Sequence, residues 1–166
     1  MTPSPSLAAF LGLIAWAEGT STSPVTADQE GYNVIVSGVD GPHVLTDYSQ
    51  HPFASGRPAI EVVAPGARFP HGLYSTASGR YQIILPTWKG LAAQLGLTDF
   101  TPISQDTACV ELLRQRGAID MILAGDIQGA IEACSKEWAS FPNNPYGQGG
   151  KTMGDLLTKY QELVAV

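Results

Sequence analysis

Glu18 is the residue in this sequence best placed to move a proton. Leu7, Phe10, Leu11 and Ile14 recur at helical spacing and form one apolar stripe. Glu18 stands eleven residues after Leu7, which puts it about 20° from Leu7 around a helix. A carboxylate in an apolar stripe is costly to ionise, so its proton affinity rises. The partial negative charge of a helix C-terminus acts in the same direction. A carboxylic acid still partly protonated near neutral pH can protonate a glycosidic oxygen. The same pattern is also compatible with a helix-end glutamate turned to solvent.

A second constellation is the octapeptide Ser75–Gln82, STASGRYQ. Gly79 permits a positive φ or close backbone approach. Ser75, Tyr81 and Gln82 carry hydroxyl and amide groups suited to neutral sugars, and Tyr81 offers a flat face for a pyranose. An ordinary turn before a helix would read alike. Polar and aromatic loop residues complete the candidate binding set: Tyr32, Asp47, Tyr146 and Gln148. Asp47-Tyr48-Ser49 also fits a strand-ending turn. Trp16, Trp88 and Trp138 sit in helical stretches and read as core.

Other chemistries lack their residues. His43, His51 and His71 are scattered, with no zinc-binding spacing, so no metal is expected. Cys109 and Cys134 have neither metal spacing nor a Cys-x-x-Cys motif. They read as two buried thiols, with a single disulfide as the alternative. No phosphate-binding glycine loop is present, and no cofactor is implied.

The elements that must hold these residues follow from periodicity and punctuation. A first helix is expected over Ser6–Glu18, with Gly19 past its end. Tyr32–Ser37 and Val44–Tyr48 read as a β-hairpin around Gly38, Gly41 and Pro42. The segment from His51 to Leu73 is rich in Pro and Gly and reads as a long loop. Helical patterns follow over Tyr81–Ile84, Thr87–Leu95, Ser104–Gln115, Ala118–Ala124, Asp126–Ala139 and Thr152–Leu163. Asp126 and Thr152 are the expected N-caps. The fold class is α+β, in one domain: a mainly helical body (1–19 and 79–166) beside a small β-hairpin lobe (about 20–75).

A net charge of −6 without a basic run excludes nucleic acid and anionic membrane surfaces as natural partners. The apolar stretch Leu7–Ala17 has no preceding Lys or Arg and is too short to span a bilayer. It reads as part of a soluble protein made in the cytoplasm without a signal peptide. No heptad or exposed apolar stripe asks for a partner chain, so a monomer is expected.

Several stretches together resemble the phage lambda endolysin family. They are AWAEGT (15–20), GYNVIV (31–36), TDYS with HP (46–52), STASGRYQ (75–82) and QLGL (94–97). Asp99-Phe100, Ser104-Gln105-Asp106, CS with WAS (134–140), Pro142 and YGQ (146–148) continue the match in order. The resemblance implies a lysozyme-like fold with a cleft between its lobes. It also implies a lytic transglycosylase that cuts the β-1,4 bond between N-acetylmuramic acid and N-acetylglucosamine, leaving 1,6-anhydro ends. The single catalytic acid falls on Glu18, and Gly79, Tyr81 and Gln82 fall on the cleft motif. Host lysis after holin-mediated release to the periplasm is part of what the family does. The chain departs from the family at Val39–His43 and Gly56–Gly72, where a cleft lip would lie, so the departures bear on subsites more than on chemistry.

Carboxylate count separates the reaction types. A conventional glycosidase needs two carboxylates, about 5–5.5 Å apart if retaining and about 6.5–9.5 Å if inverting. Candidates for a second are Asp28, Glu30 and Asp47, none in a setting that singles it out. One good carboxylate points to non-hydrolytic cleavage, in which the muramic 6-hydroxyl replaces water. A hydrolytic muramidase is the alternative, and a non-catalytic glycan-binding domain is the competing class.

Overall fold

The computed structural model describes residues 2–26, 29–144 and 150–166. Elements run α1 (Pro5–Ala17), β1 (Val34–Gly38), β2 (Gly41–Val44), β3 (Ile60–Val63), β4 (Leu73–Ser75), α2 (Leu85–Leu95), α3 (Pro102–Gln115), α4 (Ala118–Ala124), α5 (Ile127–Cys134) and α6 (Met153–Val164). The backbone forms two compact units, Thr20–Ala108 and Met1–Gly19 with Cys109–Val166. None of the described helices is long and apolar enough to cross a membrane.

The second of these units is helical and built around α1. The Ser4 hydroxyl accepts the Leu7 N–H at 3.3 Å and Pro5 opens the first turn, where its missing N–H costs nothing. Burial is unbroken from Ala9 to Ala15. The helix is therefore enclosed on all sides, not along one stripe as the periodicity suggested. α6 packs beside Gly12, where a Cβ would lie in ordinary contact with Leu163, at 3.4 Å. Phe10 packs edge-on against Phe141 and Tyr160, both at 6.4 Å between centroids. Asp126 and Thr152 cap α5 and α6 as expected, accepting the Gly129 and Asp155 N–H groups. The helix expected over Asp126–Ala139 ends earlier, at Cys134, and turns follow. Both cysteines are buried as thiols.

The unit Thr20–Ala108 holds two short antiparallel hairpins, β1–β2 and β3–β4. Val34 pairs with Val44 and Ile35 with His43. The returning strand thus comes before the expected Val44–Tyr48, because the chain reverses tightly before Gly41, at φ +112°. Beyond Val44 the Asp47 carboxylate accepts the Ser49 N–H at 2.8 Å, forming a turn. The second hairpin lies largely in the segment 51–73 that the sequence presents as loop. Its strand Ile60–Val63 is short, and flanking Pro and Gly masked the β-branched signal of IEVV. The Val39 N–H donates to Glu61 O at 2.8 Å and joins the hairpins. The helical turn expected at Tyr81–Ile84 is instead a tight turn, closed by pairing of Ser78 with Ile83.

His51 is fully buried in this unit. Its Nε2–H donates to Ile83 O at 2.9 Å and its Nδ1 accepts the Phe53 N–H at 3.3 Å. The rings of Phe53, Trp88 and Phe100 surround it. Both nitrogens are committed to the neutral tautomer, and burial lowers the proton affinity below the ordinary value of 6.5. A depressed folded-state value means stability that is complete above pH 6.5 and lost as pH falls toward the folded-state value. The stability that wild type holds over the His51→Gln variant in urea unfolding should therefore shrink as pH drops from 7 to 5; parallel pH profiles for both would refute it.

Candidate active site

Glu18 is the residue directly after α1, where its own N–H still donates to Ile14 O at 2.9 Å. The rigid helix behind it fixes where the side chain starts. Part of the residue is open to solvent, yet the carboxyl itself is desolvated. Burial is the dominant influence and pushes its pKa up to about 7 from 4.5. The Ser140 hydroxyl donates to Oε1 at 2.6 Å. This contact, with the Ser140 amide, opposes the rise. The outcome is an acid half ionised near neutrality, the condition for giving and then taking a proton at one pH. Ser140 carries no sequence signal of its own within WAS; only proximity in space reveals its partner.

Among the binding candidates, the structure gathers Tyr32, Gly79, Tyr81 and Gln82 in the unit Thr20–Ala108. Tyr32 and Tyr81 both donate their hydroxyls to Asp106 Oδ1, at 2.9 and 2.6 Å. Their rings meet edge-on at 6.4 Å. The Arg80 guanidinium lies over both, 5.2 Å from one centroid and 5.9 Å from the other. Burial and the Asp106 carboxylate push the Tyr32 hydroxyl up to about 12, so it stays a donor. Tyr81 is only 1% exposed. Its ring is packed inside the unit and is not the open sugar platform that its type suggested; its hydroxyl anchors the turn to α3.

The turn itself is held from several sides. Gly79 has φ +78°, and a Cβ there would run into Gln105 Oε1 and the Phe100 ring. That same oxygen accepts the Arg80 N–H at 2.9 Å. Gln82 also has a positive φ, +50°, and its Nε2 donates to Gly79 O at 2.9 Å. Gln105 and Asp106 are thus site-forming residues that sequence reasoning quoted without assigning a role.

Among the other described candidates, Ser75 and Asp47 bond to neighbours close in sequence. Ser75 ends β4, and its hydroxyl accepts the Ala77 N–H at 3.1 Å. Asp47 is exposed and ionised well below the usual range because the Ser49 amide and hydroxyl stabilise its charge. Tyr146, Gln148 and Asp28 lie outside the described residues. Glu30 keeps 74% of its side chain exposed, 3.9 Å from Arg80. No group of three metal-ligating side chains occurs among the described residues.

Comparison with known proteins gives the same answer along nearly the whole chain. A family model described as Endolysin matches residues 8–166. The endolysin of Escherichia phage P2 is 46% identical over 157 residues, covering 94% of this chain and 91% of its own. The endolysin of Escherichia phage lambda is 40% identical, with 93% and 88% covered. The solved structure of bacteriophage lambda lysozyme complexed with a chitohexasaccharide matches with a TM-score of 0.82 at 38% identity, covering 98% of this chain and 96% of that one. The α+β, lysozyme-like fold expected from the sequence is thus the fold of this chain.

Two stability measurements test the site's construction. Glu18 has a folded-state value above its unfolded one, so its contribution is complete below about pH 4.5 and is lost as pH rises through about 7. Glu18→Gln should therefore stabilise the protein by roughly 2–3 kcal/mol at pH 8 and leave it nearly unchanged at pH 4; equal effects at both pH values would contradict a desolvated acid. Gly79→Ala should cost about 1–3 kcal/mol in urea unfolding, from the strained φ and the collision with Gln105. A neutral substitution would show that the turn has slack.

Proposed function

The chain belongs to the endolysin family, and we propose that it degrades bacterial peptidoglycan as a lytic transglycosylase in host lysis. The bond cut is the β-1,4 link from N-acetylmuramic acid to N-acetylglucosamine, and the product carries a 1,6-anhydromuramic end. The observation that carries this reading is Glu18: one desolvated acid poised near pH 7, whose titration is set by burial and Ser140 and by no second carboxylate among the described residues. Asp47 and Glu30, weighed as partners, are exposed.

Glu18 gives its proton to the glycosidic oxygen as the C1–O bond breaks and its electron pair leaves with the N-acetylglucosamine 4-hydroxyl. The oxocarbenium-like centre is stabilised by the muramic N-acetyl group. The muramic 6-hydroxyl oxygen then bonds to C1, and its proton passes to the Glu18 carboxylate. Atoms balance without water, so one carboxylate suffices where a conventional glycosidase needs two.

A glycan strand is the partner, in keeping with the chitohexasaccharide held by the lambda enzyme. In this reading Tyr32, Asp47, Ser75, Gly79 and Gln82 bind the glycan and Tyr81 holds their turn in place, with Tyr146 and Gln148, which lie outside the described residues, assigned to the same role from the sequence. The protein works as a monomeric single catalytic domain, without cofactor or metal, in the periplasm after holin-mediated release.

Mass spectrometry of muropeptides released from purified peptidoglycan tests the chemistry. Products lighter by one water than reducing-end standards are expected; products of full hydrated mass would make the enzyme a muramidase. Glu18→Gln should lower turbidity clearing of permeabilised Gram-negative cells by at least about a thousandfold, and clearing at wild-type rate would remove Glu18 from the mechanism.

A further inference from the structure

Reading Glu18 as both acid and base raises a question that burial alone answers badly. A carboxyl stripped of water holds its proton and is a good acid, but the carboxylate left after proton transfer is then a poorly stabilised charge. Something fixed must stabilise that charge. Ser140 is the donor in place, with its hydroxyl 2.6 Å from Glu18 Oε1, a length typical of an O–H donor on an ionised acceptor.

The segment carrying Ser140 is constructed to keep it there. The Ser140 carbonyl accepts the Lys151 N–H at 2.8 Å. Gly150 is packed so closely that a Cβ would come within 2.5 Å of the same carbonyl oxygen. Asn144 Nδ2 donates to the carbonyls on either side, Ala139 at 2.8 Å and Phe141 at 3.0 Å. Phe141 is fully buried against Phe10 of α1, and its N–H donates to Trp138 O at 3.0 Å. Glu18 and Ser140 are therefore both referred to α1, one by chain connection and one by packing. The hydroxyl lies on a loop 122 residues away in sequence, yet the packing of Phe141 ties that loop to α1.

We propose that Ser140 is a positioning residue for the reaction, whose hydroxyl aims the Glu18 carboxyl and stabilises the carboxylate left behind after proton transfer. Through this contact the same group can act first as acid and then as base. The inference rests on Glu18 being the acid, and it adds a residue whose role is exerted entirely through Glu18. Burial and Ser140 account for the titration of Glu18, with no charged side chain contributing among the described residues.

The test combines a titration in the free protein with kinetics on soluble peptidoglycan. The Glu18 side-chain carboxyl is followed by 13C NMR against pH in wild type, Ser140→Ala and Ser140→Thr. The Ala variant should titrate about one pH unit higher than wild type. Its kcat should fall about tenfold or more with KM within about twofold, and the alkaline limb of its rate profile should move up by the same interval. Thr, which keeps the hydroxyl, should restore the midpoint and most of kcat. An Ala variant that remains folded by circular dichroism and titrates like wild type overturns the proposal. An Ala variant that does not fold leaves the decision to Thr, whose midpoint must then stay at the wild-type position for the proposal to stand. Glu18→Gln is assayed beside them: if it is inactive while Ser140→Ala behaves as wild type, only the Ser140 proposal falls, whereas an active Glu18→Gln removes the acid assignment beneath it.

Discussion

A carboxyl group removed from water resists ionisation, and the helical unit is arranged around that cost. Glu18 sits where α1 ends, so its backbone is fixed by the most enclosed helix of the unit. Desolvation raises its proton affinity, and the Ser140 donor limits the rise. The two influences together set where the group exchanges its proton. Too little burial would leave an ordinary, always ionised glutamate; burial with no donor would leave a weaker acid that titrates higher. The aromatic contacts of Phe10 with Phe141 and Tyr160 hold this balance in place, so core packing sets the chemistry of the site through geometry.

The unit Thr20–Ala108 solves a different problem with a comparable device. Two hairpins and a strained turn are short elements, and polar anchoring holds them. Asp106 supplies it by accepting from two tyrosine hydroxyls at once, while Gln105 takes the Arg80 N–H and donates to Phe100 O. Consecutive residues at the start of α3 thus hold the whole STASGRYQ turn. The positive φ values of Gly79 and Gln82 persist because this framework over-determines them. Backbone strain of this kind is what a turn with a defined amide and hydroxyl layout requires.

Much of this was legible in the sequence, and the parts that were not share a cause. Glu18, the caps Asp126 and Thr152, the buried cysteines and most helices follow from local pattern, because capping chemistry and 3.6-residue periodicity are local. The second hairpin escaped because its strands are too short for alternation to show through the surrounding Pro and Gly. Tyr81 was read by residue type as a surface for sugar, whereas tertiary packing made it an internal strut. Ser140, Gln105 and Asp106 act only through partners distant in sequence, and no periodicity encodes such a pairing.

The two cysteines carry a consequence of another kind. Cys109 and Cys134 are buried thiols, and burial pushes the Cys134 thiol up to about 12. Thiolate is the form that attacks disulfides and reacts with oxidants, so Cys134 is chemically silent in the folded chain. Burial therefore keeps the Cys134 thiol out of disulfide exchange while the chain stays folded, under glutathione as under an oxidising relay.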